Sequence, residues 1–198
     1  AMAAKHFLSF KVKPVPGYED GTYTPADASI ADLDGDGQYE MIVKMVTSEY
    51  DNGGGGLCNE GCLIDAYRLD GTFLWRIDLG LNIRQGAHYT QMMLYDFDGD
   101  GKAELAVKTA EGTTFGDGKK IGDVNGDGRT DYRNTNRSSR TYGKILEGPE
   151  FLSIIEGATG REPARTDFIP RGSEFEFGDN TGNRVDRFLG AAVYLDPS

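Results

Sequence analysis

No stretch of this sequence approaches the ~20 consecutive apolar residues a helix needs to cross a bilayer, so no membrane span is expected. The amino end, Ala1 to Lys13, holds no uninterrupted apolar core, and no signal peptide is read there. Cysteine is scarce. Cys58 and Cys62 stand alone in a Gly-rich stretch, GGGGLCNEGC, without a nearby histidine, which makes a poor zinc site. A small loop disulfide or two free thiols are the readings left, and neither carries chemistry. Positive charge is also short: 21 Lys and Arg face 32 Asp and Glu, for a formal net charge of -11. Binders of a phosphate backbone concentrate positive charge, so nucleic acid is not an expected partner. A sustained helical period is missing, and 28 glycines point to many turns and few long helices.

What is present is a chain of 198 residues, 38% hydrophobic, long enough to bury a core. Its acidic residues gather in loops, and those loops recur. The stretch Ala31 to Gly80 aligns with Tyr95 to Phe168. The first copy reads IADLDGDGQYEMIVKM, a Gly-rich loop, then LIDAYRLDGTFLWRIDL. The second reads LYDFDGDGKAELAVKTA, a longer loop, then FLSIIEGATGREPARTDF. Each has an acidic loop, an apolar strand, a second strand, a tight turn and a last strand. Met41-Ile42-Val43 and Leu105-Ala106-Val107 are too short for helices, and Cys62 to Leu69 alternates before an Asp70-Gly71 hairpin signal.

The expected fold is therefore all-β, with blades of four antiparallel strands as in a β-propeller and calcium-binding loops between strands. The chain reads as one partial propeller domain over 1–198, with repeats over about 27–82 and 89–170 and a third starting over 183–198. In the third, Tyr194-Leu195-Asp196 is placed like Tyr95-Asp96. Two blades and a stub leave open strand edges, which proteins normally cover. The remainder of a propeller, or another chain, is expected against them.

Three loops carry the metal signal: Asp32–Glu40 (DLDGDGQYE), Asp96–Glu104 (DFDGDGKAE) and Asp123–Asp131 (DVNGDGRTD). Calcium takes six to eight oxygens at about 2.3–2.6 Å, and alternate carboxylates on a tight loop supply them. The first, third and fifth positions offer side-chain oxygens: Asp32, Asp34 and Asp36; Asp96, Asp98 and Asp100; Asp123, Asn125 and Asp127. The seventh, at Gln38, Lys102 and Arg129, offers a backbone carbonyl. The ninth, at Glu40, Glu104 and Asp131, closes the shell, and Gly37, Gly101 and Gly128 permit the turn. An EF-hand closes with glutamate at position twelve. Val43, Val107 and Asn134 stand there, so these are not EF-hands. The third loop also resembles a dockerin's calcium loop, but dockerins flank it with helices. Calcium in such loops pins a turn between strands.

The stretch IDAYRLDGTFLWRIDLGLNIRQGAHYTQMMLYDFDGDGKAELAVKTAEGT resembles family-eleven polysaccharide lyases, the rhamnogalacturonan lyases. GKILEGPEFLSIIEGATG and DNTGNRVDRFLGAAVYLD do so too. The resemblance places the chain in the amino-terminal portion, roughly the first third, of such an enzyme. It implies an eight-bladed β-propeller holding several calcium ions. It also implies cleavage of the rhamnogalacturonan I backbone of pectin by β-elimination at galacturonate. A pectic substrate and calcium chemistry together imply a secreted protein.

Elimination needs cations against the uronate carboxylate and a base within hydrogen-bonding reach. The link NIRQGAHYTQ between blades supplies candidates. His88 is a candidate base or sugar contact, or else a hydrogen-bonded linker residue or a metal ligand. Arg84 pairs with a substrate carboxylate, or ties the link to a backbone carbonyl. Lys108 faces the cleft, or is a solvated strand end. Tyr89 and Arg184 are the candidate substrate contacts. Tyr89 packing between blades, and Arg184 in a structural ion cluster with Asp186 and Arg187, are the plainer alternatives. Trp75 reads as blade core. The competing function is a non-catalytic calcium-binding propeller module for protein or glycan, which has no reason to carry NIRQGAHYTQ.

Overall fold

The computed structural model describes residues 9–47, 57–86, 88–170, 178, 181–187 and 189–193. These form two four-stranded antiparallel sheets, each in sequential order. The first sheet is β1 (Tyr23–Ala31), β2 (Glu40–Thr47), β3 (Leu63–Arg68) and β4 (Phe73–Asp78). The second is β5 (Met92–Tyr95), β6 (Glu104–Ala110), β7 (Glu150–Glu156) and β8 (Ala164–Asp167). No helix occurs among the described residues. They form no closed barrel or propeller, so the expected all-β, blade-like antiparallel architecture is seen without the ring. Tyr194, Leu195 and Asp196 of the expected third repeat lie outside the described residues.

Local sequence explains the strands. β7 alternates strictly between half-buried and buried positions, as its period-two pattern requires. The hairpin signal at Asp70-Gly71 joins β3 to β4 through a bond from Arg68 N to Thr72 O and another from Gly71 N to Arg68 O. Asp70 Oδ1 accepts from Thr72 N at 2.8 Å, and Gly71 takes a φ of 91° that a side chain would resist. β1 bulges between Pro25 and Ala28, where proline has no N–H to give the ladder.

One core joins the two sheets. Ile42, Ile64, Trp75 and Ile77 of the first pack with Leu105, Val107, Phe151 and Ile155 of the second. Trp75 is buried there, and its Nε1 donates to Gly157 O at 2.7 Å across the sheets. Gly160 lets this approach happen, since a Cβ there would fall 2.8 Å from the indole, and a Cβ on Gly157 would press on Ala103 O and Leu33. The other face of the first sheet is a smaller cluster of Tyr23, Val43, Met45, Leu63 and Tyr67. It is covered by Phe10, Val12 and Val15 from the segment before β1.

The two cysteines are free thiols, which decides between the two readings left open by their spacing. Cys62 is buried in the core, and burial pushes its thiol up to about 12, leaving no reactive thiolate near neutrality.

Acidic loops and a charged cleft

The loop between β1 and β2 and the loop between β5 and β6 are built alike, and the third repeats their inner bonds. In each, the first Asp accepts from two glycine N–H groups. Asp32 takes Gly35 at 2.7 Å and Gly37 at 2.8 Å; Asp96 takes Gly99 at 2.7 Å and Gly101 at 2.9 Å; Asp123 takes Gly126 at 2.7 Å and Gly128 at 2.8 Å. The fifth residue accepts from the N–H of the seventh: Asp36 from Gln38, Asp100 from Lys102, Asp127 from Arg129. The third residue accepts from the fifth at 3.0–3.2 Å, through Asp34, Asp98 and Asn125. These bonds fold positions one to seven of each loop into the same tight turn.

Two oxygens bound to one calcium at about 2.4 Å cannot be more than ~4.8 Å apart. One oxygen from each of Asp32, Asp34 and Asp36 meets that limit, and so does one from each of Asp96, Asp98 and Glu104, all within 4.8 Å of one another. The donor sets fit a hard cation. At the first loop a positive group already leans in, with Arg68 Nη2 2.9 Å from Asp34 Oδ2.

Position nine separates the loops. Glu40 is buried and its Oε2 accepts from Leu33 N at 2.9 Å. Glu104 does the same with Phe97 N at 2.9 Å. Burial, with Asp98, Asp100 and Asp96 nearby, lifts the Glu104 carboxyl above the usual range. Asp131 is turned away. Both its oxygens pair with Arg133, at 2.9 Å and 2.6 Å, and this partner holds its carboxyl below the usual range. Arg129 likewise sends its side chain out to Glu147 at 2.8 Å.

The second region is a cleft of about 390 Å³ on the outer side of the second sheet, with Arg84, Lys108 and Asp186 on its walls among apolar residues such as Met93, Leu152 and Phe168. Asp186 gathers the two cations. Arg84 Nε lies 3.0 Å from Asp186 Oδ2, and Lys108 Nζ lies 3.1 Å from Oδ1 and 2.7 Å from Glu150 Oε1. Arg84 is buried and also donates through Nη2 to Thr181 O, so the tie to a backbone carbonyl is present. Tyr89 is buried, with the Arg84 guanidinium 5.2 Å from its ring centroid and its hydroxyl on Asn183 Oδ1 at 2.6 Å. His88 is exposed in the same link and does not line the cleft, and Arg184 is exposed as well. The link is held tightly. Thr90, a β-branched residue, takes a φ of 61° with its hydroxyl on Arg84 O at 2.8 Å, a conformation that costs about 1–3 kcal/mol.

Lys44 escaped the sequence reading. It holds in the first repeat the place Lys108 holds in the second, four residues after the closing glutamate, and that repeat position is the signal that could have found it. It is fully buried, with Nζ on Asp27 at 2.6 Å and on Tyr89 O at 2.9 Å.

Residues 13–198 match the family model described as rhamnogalacturonan lyase family 11, C-terminal domain. This corrects the expected amino-terminal placement, since the matched model is that of the C-terminal domain. The chain is 54% identical over 183 residues to the rhamnogalacturonan endolyase YesW of Bacillus subtilis (strain 168), covering 91% of this chain and 28% of that protein. It is 54% identical over 177 residues to the rhamnogalacturonan exolyase YesX of the same organism, covering 88% of this chain and 27% of that one. Among solved structures, a rhamnogalacturonan lyase of Bacillus licheniformis superposes with a TM-score of 0.76 at 52% identity, over 89% of this chain and 30% of that chain. The chain thus spans a little over a quarter of the length of the relatives it matches.

Proposed function

Because the chain belongs to rhamnogalacturonan lyase family 11, we propose that it is a portion of a secreted enzyme that cleaves the rhamnogalacturonan I backbone of pectin by β-elimination at galacturonate. The observation that carries this reading is the 54% identity to two such lyases, over 91% and 88% of the chain. An endolyase and an exolyase match equally, so identity to this stretch does not separate the two modes.

In this reading the two sheets are two blades of an eight-bladed propeller whose other blades cover the open strand edges. The three acidic loops hold calcium, which supplies positive charge that pins each turn. In loops one and two the holding residues are Asp32, Asp34, Asp36 and Glu40, and Asp96, Asp98, Asp100 and Glu104. Gln38 and Lys102 lend carbonyls, as Arg129 does beside Asp123, Asn125 and Asp127 in loop three.

The reaction removes the proton at carbon 5 of galacturonate and expels the glycosidic oxygen at carbon 4. Charge develops on the uronate carboxylate as the proton leaves, so preorganised cations beside it lower the barrier. Lys108 and Arg84 bring positive charge to the cleft wall, fixed by Asp186 and Glu150. His88, exposed in the adjoining link, is the candidate base, and substrate bound in the cleft has to reach it.

The test uses the complete protein, loaded with calcium and mixed with rhamnogalacturonan. The unsaturated sugar formed by elimination absorbs in the ultraviolet, and a steady rise in absorbance is expected. A flat trace from folded, calcium-loaded protein would overturn the lyase reading. Lys108→Met is expected to lower turnover at least about tenfold, the loss of one electrostatic contact to developing charge.

A further inference from the structure

We infer that Glu111, not Asp131, is the closing carboxylate of the third acidic loop, which thereby takes a hard divalent cation such as calcium through a ligand from outside its own nine residues. This rests on the calcium reading of the loops.

The first observation is a bond shared by all three loops. The second residue of each donates its backbone N–H to a buried carboxylate. Leu33 donates to Glu40 and Phe97 to Glu104, both at 2.9 Å and both from position nine. In the third loop Val124 N donates at 2.7 Å to Glu111 Oε1. In the second loop the carboxylate making this bond also brings an oxygen within 4.8 Å of those of Asp96 and Asp98. Glu111 therefore makes in the third loop the bond that the ninth-position glutamate makes in the first two.

The second observation is the other oxygen. Glu111 is fully buried, and its Oε2 has no hydrogen-bond partner among the described residues. An ionised carboxylate buried with one oxygen unmatched is costly, and such groups are normally paired or coordinate metals. Asp131, the residue at position nine, has both oxygens on Arg133 and a side chain 42% exposed.

The chain between them explains the exchange. Glu111 follows the end of β6, and a small hairpin then turns back, with Gly112 N on Ile121 O at 2.8 Å and Ile121 N on Thr113 O at 2.9 Å. Asp123 starts just beyond, so the loop is laid against Glu111. Asn82 fastens the arrangement by donating to Glu111 O at 2.7 Å and to Thr130 O at 2.9 Å. The loop's own Asn125 and Asp127 are linked at 3.2 Å, and both reach the Tyr132 hydroxyl. With Glu104 at one end of β6 and Glu111 past the other, a single strand ties two cation sites together.

Calcium is titrated into the metal-free chain by calorimetry, with bound ions counted by native mass spectrometry, for the chain itself and for Glu111→Gln and Asp131→Asn. Glutamine keeps the acceptor for Val124 N–H and removes only the charge. Glu111→Gln is expected to lose one ion or weaken one site at least about tenfold, because ligand charge sets affinity, while Asp131→Asn keeps all the ions. A count lowered by Asp131→Asn and untouched by Glu111→Gln overturns the assignment. A variant-free measurement stands beside it: the Glu111 carboxyl carbon resonance should move on saturation with calcium. Movement of loop one and two resonances with Glu111 and Asp123–Asp131 unmoved overturns the proposal alone. No calcium binding anywhere overturns the calcium reading itself.

Discussion

Loops one and two and loop three wind the same way and close differently. Each of the first two lies between adjacent strands of one sheet, after β1 or β5 and before β2 or β6, and its closing glutamate is the first residue of the following strand. Loop three sits in the long connection between β6 and β7, where only an isolated bridge between Arg133 and Ile145 follows it. The inner bonds are set by Asp at position one and by glycines that accept a positive φ, and all three loops have them. The closing carboxylate is a matter of what the backbone does next. A strand carries position nine inward; without the strand, position nine pairs outward with Arg133, and a buried glutamate from another segment takes its place.

Stripping calcium from the loaded chain is the coarsest test and should give the largest effect. A site held at 100 times its dissociation constant contributes about 2.7 kcal/mol. One kcal/mol moves Tm by about 2–4 °C in a chain of this size. Emptying loop three adds to the loss, and emptying loops one and two should by itself lower Tm by roughly 10–20 °C, combining those figures. Asp34→Asn and Asp98→Asn should each cost about half of that in calcium, on the same basis. Asp127→Asn should cost less, because loop three has Asn125 where the others have a third Asp, and fewer charges bind more weakly. Equal losses from all three would break the comparison.

In metal-free buffer a smaller difference should survive. Glu40→Ala leaves the buried Leu33 N–H without an acceptor, at about 1–3 kcal/mol. Asp131→Ala removes the partly exposed carboxylate from its pair with Arg133, whose largely buried guanidinium keeps its bond to Cys58 O, a loss of about 1 kcal/mol. Urea unfolding of the two variants measures this directly. An Asp131→Ala cost equal to that of Glu40→Ala would mean that position nine is structural in loop three after all.

Much of this was legible. The spacing of acidic residues and glycines marks the turns, and alternation marks β7 and the hairpin at Asp70-Gly71. The repeat aligns β2 with β6 and, followed one step further, marks Lys44 through Lys108. Glu111 was not legible, because nothing in its local sequence distinguishes it from a solvated glutamate. Its role comes from the Gly112–Ile121 hairpin folding the chain back. The pairing of Asp186 with Arg84 and Lys108 was hidden for a similar reason, since residues this far apart are joined only by the packing of the link against the segment before Leu189.

The finest test is titration of the two ninth positions in metal-free protein, where they should move in opposite directions. Glu104 lies above the usual carboxylate range because burial disfavours its charge. The stability linked to it is fully present below the unfolded value of ~4.3 and is lost as pH rises through the raised folded value. Asp131 lies below the range because Arg133 favours its charge. Its contribution is present above the unfolded value of ~3.9 and is lost as pH falls through the depressed folded value. Carboxyl carbon resonances followed from pH 2 to 7 report both groups in one sample. Shifts in the same direction would show that position nine sits in one environment in both loops. Opposite shifts, with calcium then abolishing the titration of Glu104 but not that of Asp131, would show that only one of the two faces an ion.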